Sequence, residues 1–403
     1  MNHKEEVRLL LQKICTELDG FTITDTNSSL LGGYTGVALF YAYYYQLTGD
    51  EAHMGKVYDI IEKCLLDMSE HPMNGSHCSG IAGISWCIQH LTQMGFIEAD
   101  GETDSFADID AQIAEFMRTE LSDGRNDFLH QGLGSALYLL ERLPAATAQA
   151  ELEKLVQQLE KSAMPVPGGI AWKDHFSSRS QDNPDKDIFN LGLAHGIPAI
   201  IDILARCYEK GIARETTLPL IEKSIQWLLG IRQTAPPGHS LFPTLVDNAN
   251  QVVGESHSRL GWCYGDLGIA IMLLNTGKRL QRKDYQQEAT TMLQHIAQYR
   301  NVKNGAVHDA CLCHGSAGIA HLFQQAGLAT GDSLLLDTSQ QWLHTTLQMN
   351  TWADGPAGFK FYHHPNYVSS HNVLEGIAGI GLSLISFADP EIKPDWGTCM
   401  LMV

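Results

Sequence analysis

A short glycine-rich signal recurs along the chain and limits its possible folds more than any other feature. Gly-x-x-Gly, or a near variant, precedes an apolar helical run in seven places. The first glycines of these copies are Gly33, Gly80, Gly132, Gly196, Gly265, Gly315 and Gly376. The third copy has Ser135 at the second glycine position, and the fourth has Ala199. A unit that recurs every ~50 to 70 residues has room for two helices and their connections.

Two kinds of helix are predicted within each repeat. The helix led by glycine is apolar nearly all round, which suits an interior position, whereas the intervening helix is amphipathic. Residues 51–70 show the second kind, with Met54, Val57 and Ile61 at helical spacing. Seven such pairs are most economically closed into a double ring. The sequence therefore predicts an all-α fold, an α/α toroid of seven inner and seven outer helices, formed by residues 1–403 as one domain.

Potential metal ligands stand just before two of the motifs, and in such a toroid all inner helices begin at the same end. Cys263 precedes the fifth motif, and Cys313 and His314 precede the sixth. Zinc prefers thiolate and imidazole ligands, and three protein ligands leave a tetrahedral ion one open position, as in catalytic sites. Two buried free cysteines beside a helix-start histidine remain the alternative interpretation. Cys311 is predicted to lie outside the ligand set, because the other three residues already fill it.

Three connections that precede inner helices are long and rich in proline, glycine and aromatic residues: 165–190, 234–261 and 351–372. Connections of this length inside a compact domain usually carry function or short strands of their own. We expect them to wall the end of the toroid that carries the metal ligands. His77 and Cys78 precede the second motif in reversed order, and we expect no metal contact from them.

Composition narrows the class of partner. The formal net charge of −19 at pH 7 argues against nucleic acid or an anionic membrane surface. Part of the acidic excess falls in residues 98–120, which we interpret as a solvated loop and the outer face of a helix. The nine cysteines lack paired framework spacing, and no stretch is apolar enough to predict a membrane span. These features favour a cytoplasmic protein with reduced thiols and no integral membrane segment.

The motifs GWCYG, LCHGSAGIAHL and LAHG, with the seven glycine-led helices, resemble the lanthionine synthetase C family, the zinc cyclases of lanthipeptide biosynthesis. The resemblance covers essentially the whole chain. It implies the α/α toroid and one zinc ion held by Cys263, Cys313 and His314. It also implies that His195, the histidine of LAHG, acts in proton transfer.

Three further positions match the family pattern. Asp127 precedes the third motif, Arg259 stands three residues before the tryptophan of WCYG, and Tyr264 follows its cysteine. The resemblance implies catalytic roles for them. Asp127 would orient or stabilise the histidine, Arg259 would stabilise an enolate, and Tyr264 would donate a hydrogen bond. A salt-bridged loop residue remains an equal interpretation of Arg259, and a packing role remains open for Tyr264.

The implied reaction joins a peptide cysteine to a dehydrated serine or threonine of the same peptide. The implied substrate is a precursor peptide dehydrated by a separate dehydratase, and an exporter is a candidate further member of the biosynthetic complex. Two alternatives stay open: a LanC-like enzyme that adds glutathione to dehydrated residues, and a non-catalytic scaffold braced by zinc. Protein prenyltransferases also activate thiols with zinc on an α/α toroid, but this chain has no basic cluster suited to an isoprenoid diphosphate.

Overall fold

Helices dominate the computed structural model, which describes residues 3–98, 106–234 and 236–403. In chain order the α-helices of these ranges are α1 His3–Thr24, α2 Thr35–Thr48, α3 Ala52–Glu70, α4 Ile81–Gln93, α5 Ala107–Ser122, α6 Ser135–Glu141, α7 Ala146–Ser162, α8 Ser178–Gln181, α9 Ile197–Glu209, α10 Arg214–Gly230, α11 Asp266–Arg279, α12 Lys283–Tyr299, α13 Ser316–Thr330, α14 Ser333–Gln348 and α15 Ile377–Ala388. The short strands are β1 Met164–Val166, β2 Gly169–Ala171, β3 Ile188–Asn190, β4 Leu245–Asp247, β5 Phe361–His363 and β6 Asn366–Val368.

The glycine-led helices form a closed inner ring. In order around the ring they are α2, α4, α6, α9, α11, α13 and α15, each packed on the next, and α15 packs on α2. The helices outside them are α1, α3, α5, α7, α10, α12 and α14. In α3, one face buries Met54, Val57, Ile60, Ile61 and Cys64, whereas Tyr58 and Leu66 face solvent. Across the described ranges, the predicted toroid of seven inner and seven outer helices is confirmed.

The long connections carry short strands, as expected. Antiparallel pairs join β1 to β2, β3 to β4 and β5 to β6, so the β3–β4 pair ties the first long connection to the second. Of the acidic stretch, residues 99–105 lie outside the described residues. In α5, Asp108 and Glu115 are exposed as predicted, whereas Asp110 is buried and forms an ion pair with Arg142 at 2.9 Å. None of the helices in the described ranges combines the length and apolar character needed to cross a bilayer.

The second glycine of a motif lies against the carbonyl group of the residue six positions earlier. A Cβ atom added there would overlap that carbonyl oxygen. The glycines with this contact are Gly36, Gly83, Gly134, Gly268, Gly318 and Gly379. The interpretation that put Ser135 at this position is therefore wrong by one residue, because Gly134 occupies it. Gln131 takes the place of the first glycine, with φ of −119° against −118° at Gly80.

Two sets of equivalent residues lie at fixed distances before the second glycine position of each motif. Five residues earlier stand the ring residues, Leu31, Cys78, Leu129, Ala194, Cys263, Cys313 and Leu374. Four residues earlier stand the mouth residues, Gly32, Ser79, His130, His195, Tyr264, His314 and Glu375. At six of the seven junctions, the N–H of one ring residue donates to the carbonyl of the next at 2.8–3.4 Å. Within the described chain the Leu129–Ala194 junction lacks this bond, and there the side chains of Asp127 and His195 meet instead.

Residues 395–402 pack into the interior of the inner ring. Their most deeply buried side chains are Trp396, Cys399, Met400, Leu401 and Met402. The indole N–H of Trp262 donates to the Met400 carbonyl at 2.5 Å, and Nε2 of His77 lies 2.8 Å from the Cys399 carbonyl oxygen. This segment therefore braces the residue next to Cys263. It also gives Nε2 of His77 a hydrogen-bond partner.

Candidate metal centre and active site

Cys263, Cys313 and His314 come together where the fifth and sixth repeats meet. The ligand atoms of the three side chains lie within 4.8 Å of one another. The Cys313 carbonyl accepts the N–H of Trp262 at 3.0 Å and that of Cys263 at 3.4 Å, which holds the two loops in register. Both cysteines are free thiols, with 6% and 8% of their surface exposed. The structure thus brings together the three residues singled out in the sequence.

Charge is distributed unevenly within this cluster. A hydrogen bond from the Cys313 thiol holds the pKa of Cys263 well below its ordinary range in spite of burial, and His314 and Arg259 act in the same direction. The pKa of Cys313 is raised, first because it shares its proton with the Cys263 sulfur. Burial opposes ionisation of His314, but Cys311 and other acidic neighbours raise its pKa. An anionic sulfur beside an imidazole is an arrangement that a bound cation would stabilise.

The donor set fits zinc. Two thiol sulfurs and one imidazole nitrogen are zinc ligands, and a set of three leaves one tetrahedral position for another ligand. Nε2 of His314 is buried without a hydrogen-bond partner and lies 3.5 Å from Oδ2 of Asp309. A carboxylate facing a nitrogen of a metal-binding histidine is common at zinc sites, where it fixes the tautomer and the ring orientation.

Asp309 is a candidate functional residue that the sequence analysis did not single out. Its buried carboxylate accepts the N–H of Cys311 at 2.9 Å and that of Tyr362 at 2.7 Å. The pKa of Asp309 is lowered in spite of burial, chiefly by His314. Because Tyr362 belongs to β5, Asp309 also fastens the β5–β6 hairpin to the loop that carries Cys313 and His314.

Asp309, Cys311 and His314 form a second group close enough to share an ion. However, both carboxylate oxygens already accept backbone N–H bonds, and the Cys311 sulfur lies 3.5 Å from the N–H of His314. Burial raises the pKa of the Cys311 thiol to about 11, which disfavours its thiolate form. The group with Cys263 and Cys313 therefore fits a metal better, and Cys311 stays outside our proposed ligand set.

His195 and Asp127 form an ion pair across the junction of the third and fourth repeats. Nδ1 of His195 lies 2.6 Å from Oδ2 of Asp127, and Oδ1 accepts the backbone N–H of His130 at 2.7 Å. Burial opposes the charged imidazole, but Asp127 raises the pKa of His195, which favours the imidazolium. The Phe176 ring stacks on His195, with centroids 4.7 Å apart and planes 8° apart. Pairing through Nδ1 leaves Nε2 for a substrate.

Tyr264 is the mouth residue of the repeat between His195 and His314. Its ring centroid lies 5.7 Å from that of His195, and the Asn190 amide donates to its hydroxyl at 3.3 Å. Burial raises the pKa of the Tyr264 hydroxyl, which therefore stays a neutral donor. Arg259 is exposed and forms no ion pair with any residue in the described ranges. Its charge acts instead on the Cys263 sulfur.

Comparisons with known proteins agree with this architecture. A family model described as "Lanthionine synthetase C-like protein" matches residues 24–401. The nisin biosynthesis protein NisC of Lactococcus lactis subsp. lactis is 23% identical over 347 residues, 80% of each chain. The solved structure of a nisin cyclase superposes with a TM-score of 0.76 at 20% identity, covering 98% of this chain and 97% of that one. The chain therefore belongs to the lanthionine synthetase C-like family, as its motifs predicted.

Proposed function

We propose that the chain is a zinc-dependent lanthipeptide cyclase. It adds peptide cysteine thiols to dehydroalanine or dehydrobutyrine residues of the same peptide and so forms thioether rings. The observation that carries this proposal is the position of the cluster Cys263, Cys313 and His314 beside the Asp127–His195 ion pair. Family membership supports lanthionine formation as the reaction class.

The reaction begins with a thiol that is largely unreactive at neutral pH, because free cysteine has a pKa of about 8.5. Zinc held by Cys263, Cys313 and His314 would keep a substrate thiol deprotonated at neutral pH. Asp309 contributes by facing Nε2 of His314, which holds the imidazole ring in one orientation.

His195 is placed to supply the second requirement, a proton. Attack at the β-carbon leaves an enolate, which must be protonated at the α-carbon. His195 carries that proton as an imidazolium because Asp127 stabilises the charge. Phe176 stacks on the ring and limits its rotation. Arg259 and Tyr264 are the nearby donors proposed to stabilise the enolate oxygen.

The proposed substrate is a precursor peptide already dehydrated by a separate dehydratase, with an exporter as a further member of the complex. The cysteines of the chain are all free thiols, which supports a reducing compartment such as the cytoplasm. We propose residues 1–403 as one functional domain, with the three long connections walling the mouth against which the peptide binds.

A thiol-trapping experiment tests the proposal. The purified, zinc-loaded protein is incubated with a dehydrated precursor peptide that contains cysteine, free thiols are alkylated, and the peptide mass is measured. Cyclisation adds no mass, so the number of trapped thiols is the readout. We expect that number to fall, and a chelator to prevent the fall. Persistent thiols with a mass gain from added glutathione would identify a glutathione-adding enzyme, and no change with either would favour the scaffold.

A further inference from the structure

Asn190 joins the loop that leads to His195 to the side chain of Tyr264, and the reaction proposed above assigns it no role. It is the last residue of β3, and 1% of its surface is exposed. Its Oδ1 accepts the backbone N–H of Gly192 at 2.9 Å, and its Nδ2 donates to the Tyr264 hydroxyl at 3.3 Å. One buried amide therefore contacts both of these parts of the site.

These two contacts fix the orientation of the amide. A backbone N–H can only donate, so the amide atom that faces Gly192 must be the oxygen. The atom that faces Tyr264 is then the amide nitrogen, which also can only donate. Rotation of the amide by 180° would set two donors against each other at Gly192. The Tyr264 oxygen must therefore accept, and its own proton has to point elsewhere.

Packing holds the Tyr264 ring against the same loop. A Cβ atom added to Gly192 would lie 2.6 Å from Cδ1 and Cε1 of Tyr264, so the ring lies directly on the Gly192 backbone. The N–H of Ala194 donates to the Cys263 carbonyl at 3.2 Å, which ties the loop to the residue before Tyr264. Within the described ranges, no side chain or carbonyl accepts the Tyr264 proton. That proton is left for water or for a bound substrate.

We propose that Asn190 is a positioning residue that directs the Tyr264 proton to the enolate oxygen of the substrate, an inference that rests on the proposed cyclase function. An enolate is stabilised best by a donor that is already oriented before the charge develops. A hydroxyl can rotate toward any nearby acceptor, but Asn190 offers Tyr264 none. The bond that Asn190 donates also polarises the phenol and makes it a stronger donor. Tyr264 keeps its proton throughout, so no bond breaks in this interaction.

The first test exchanges the amide for a carboxylate of the same shape. Asn190→Asp keeps the oxygen that accepts the backbone N–H but replaces the donor with an acceptor, so Tyr264 would donate to it and not to the substrate. We expect the single-turnover rate at saturating peptide to fall about 100-fold, as in Tyr264→Phe, with zinc content unchanged. Asn250→Asp is the matched control and should cyclise as the wild type. The Asn250 amide also accepts one bond, from Trp227 at 2.9 Å, and donates another, to the Pro167 carbonyl at 3.2 Å.

A purely structural role for Asn190 predicts a different result. The bond to Gly192 survives in Asn190→Asp, so a near-normal rate in this variant would overturn the proposal. Combining Asn190→Asp with Tyr264→Phe shows whether the new charge acts directly on His195. The double variant should cyclise at the rate of Tyr264→Phe, because Asn190 acts through the hydroxyl. A further loss as large as that caused by Asn190→Asp in the wild type would also overturn the proposal.

Raman spectra give a readout that needs no peptide. The intensity ratio of the tyrosine ring doublet reports whether a phenol donates or accepts hydrogen bonds, and subtraction of the matching Tyr264→Phe spectrum isolates Tyr264. We expect an accepting phenol in the wild type and a shift toward a strong donor in Asn190→Asp. A strong-donor signal in the wild type would overturn the proposal even if Asn190→Asp does not fold, and so would equal signals in the two proteins. If the wild type cyclises no peptide, the proposed function fails, while these spectra still decide the orientation of the Tyr264 proton.

Discussion

The mouth residues of the first three repeats and those of the last four share one backbone geometry but differ in chemistry. They are Gly32, Ser79 and His130 in the first group, and His195, Tyr264, His314 and Glu375 in the second. The same glycine contacts and the same ring hydrogen bonds occur in both groups. The close glycine–carbonyl packing therefore belongs to the fold and not to the chemistry of one group of repeats. Most of the side chains assigned to the chemistry stand at the ring and mouth positions, whereas Asp127, Arg259 and Asp309 lie two to four residues before a ring residue.

The ring cysteines give the largest expected contrast. Cys313→Ala should lose bound zinc and all cyclisation, because two remaining ligands do not hold the ion. Cys78→Ala changes the equivalent residue of the second repeat and should keep both, at a stability cost of about 1 kcal/mol. Elemental analysis and thiol trapping measure the two outcomes. Full zinc content in Cys313→Ala would show that the group with Asp309 and Cys311 holds the metal instead.

The histidines at equivalent mouth positions give the next contrast. His195→Asn should slow cyclisation by about 100- to 10,000-fold while zinc is retained, because general acid catalysis is lost. His130→Asn, one repeat away, should change the rate only a few-fold, since His130 engages Asp127 through its backbone. Similar losses in the two variants, measured as single-turnover rates, would contradict the assignment of His195 as the acid.

Asp309 faces His314, so its substitution perturbs the proposed zinc site without removing a proposed ligand. Asp309→Asn should weaken zinc binding by about 10- to 100-fold, because His314 loses the carboxylate that orients it. Asp174 is an equally buried carboxylate bonded to Phe176 and Ser177, so Asp174→Asn is the control. Competition with a chromophoric chelator measures both affinities. Equal zinc affinity in the two variants would remove Asp309 from the metal centre.

Two substitutions in the third motif test the fold itself. They ask whether Gly134 or Ser135 stands at the second glycine position. Gly134→Ala should destabilise the protein by about 1–3 kcal/mol, because the new methyl group meets the Phe128 carbonyl. Ser135→Ala removes a hydrogen bond of 3.2 Å to the Gly75 carbonyl and should cost about 1 kcal/mol. Urea denaturation measures both. A larger loss in Ser135→Ala would restore the register inferred from the sequence.

A shift in pH dependence is the smallest expected effect. The pKa of His195 is raised by Asp127, so cyclisation should fall as pH rises through that value and the acid form is lost. Asp127→Asn should move this fall to lower pH. The stability that the pair contributes is complete below the ordinary histidine pKa of about 6.5 and is lost as pH rises through the folded value. Rate and stability profiles across this range check both, and unchanged profiles would contradict the coupling.

Much of this architecture could be predicted because its physical demands restrict residue types. Glycine makes the close carbonyl contact at the second motif position in six of the seven repeats, and Ala199 takes that position in the fourth, so the inner helices could be recognised in the sequence. Zinc chemistry similarly restricts its ligands, so Cys263, Cys313 and His314 could be selected by type and position. The predicted register of the third motif was wrong because Gly132 and Gly134 allow two alignments of the motif. Only the contact of Gly134 with the Phe128 carbonyl decides between them.

Residues that reach the site from elsewhere could not be predicted in this way. Phe176 and Asn190 come from the first long connection, whose path depends on the pairing of β3 with β4. Asp309 acts through a buried contact that spacing along the chain does not reveal.

Gly32 shows what such a repeat makes possible over evolutionary time. Among the described residues, the one atom within 4 Å of a Cβ atom built at this position, outside its chain neighbours, is Oγ of Ser29, at 3.4 Å. A new side chain could therefore enter the mouth there without disturbing the helices beneath it. The toroid is in this respect an adaptable scaffold, in which reactive groups can be exchanged one repeat at a time. Protein engineers could use the first two repeats to install groups for reactions that natural selection has not explored in this chain.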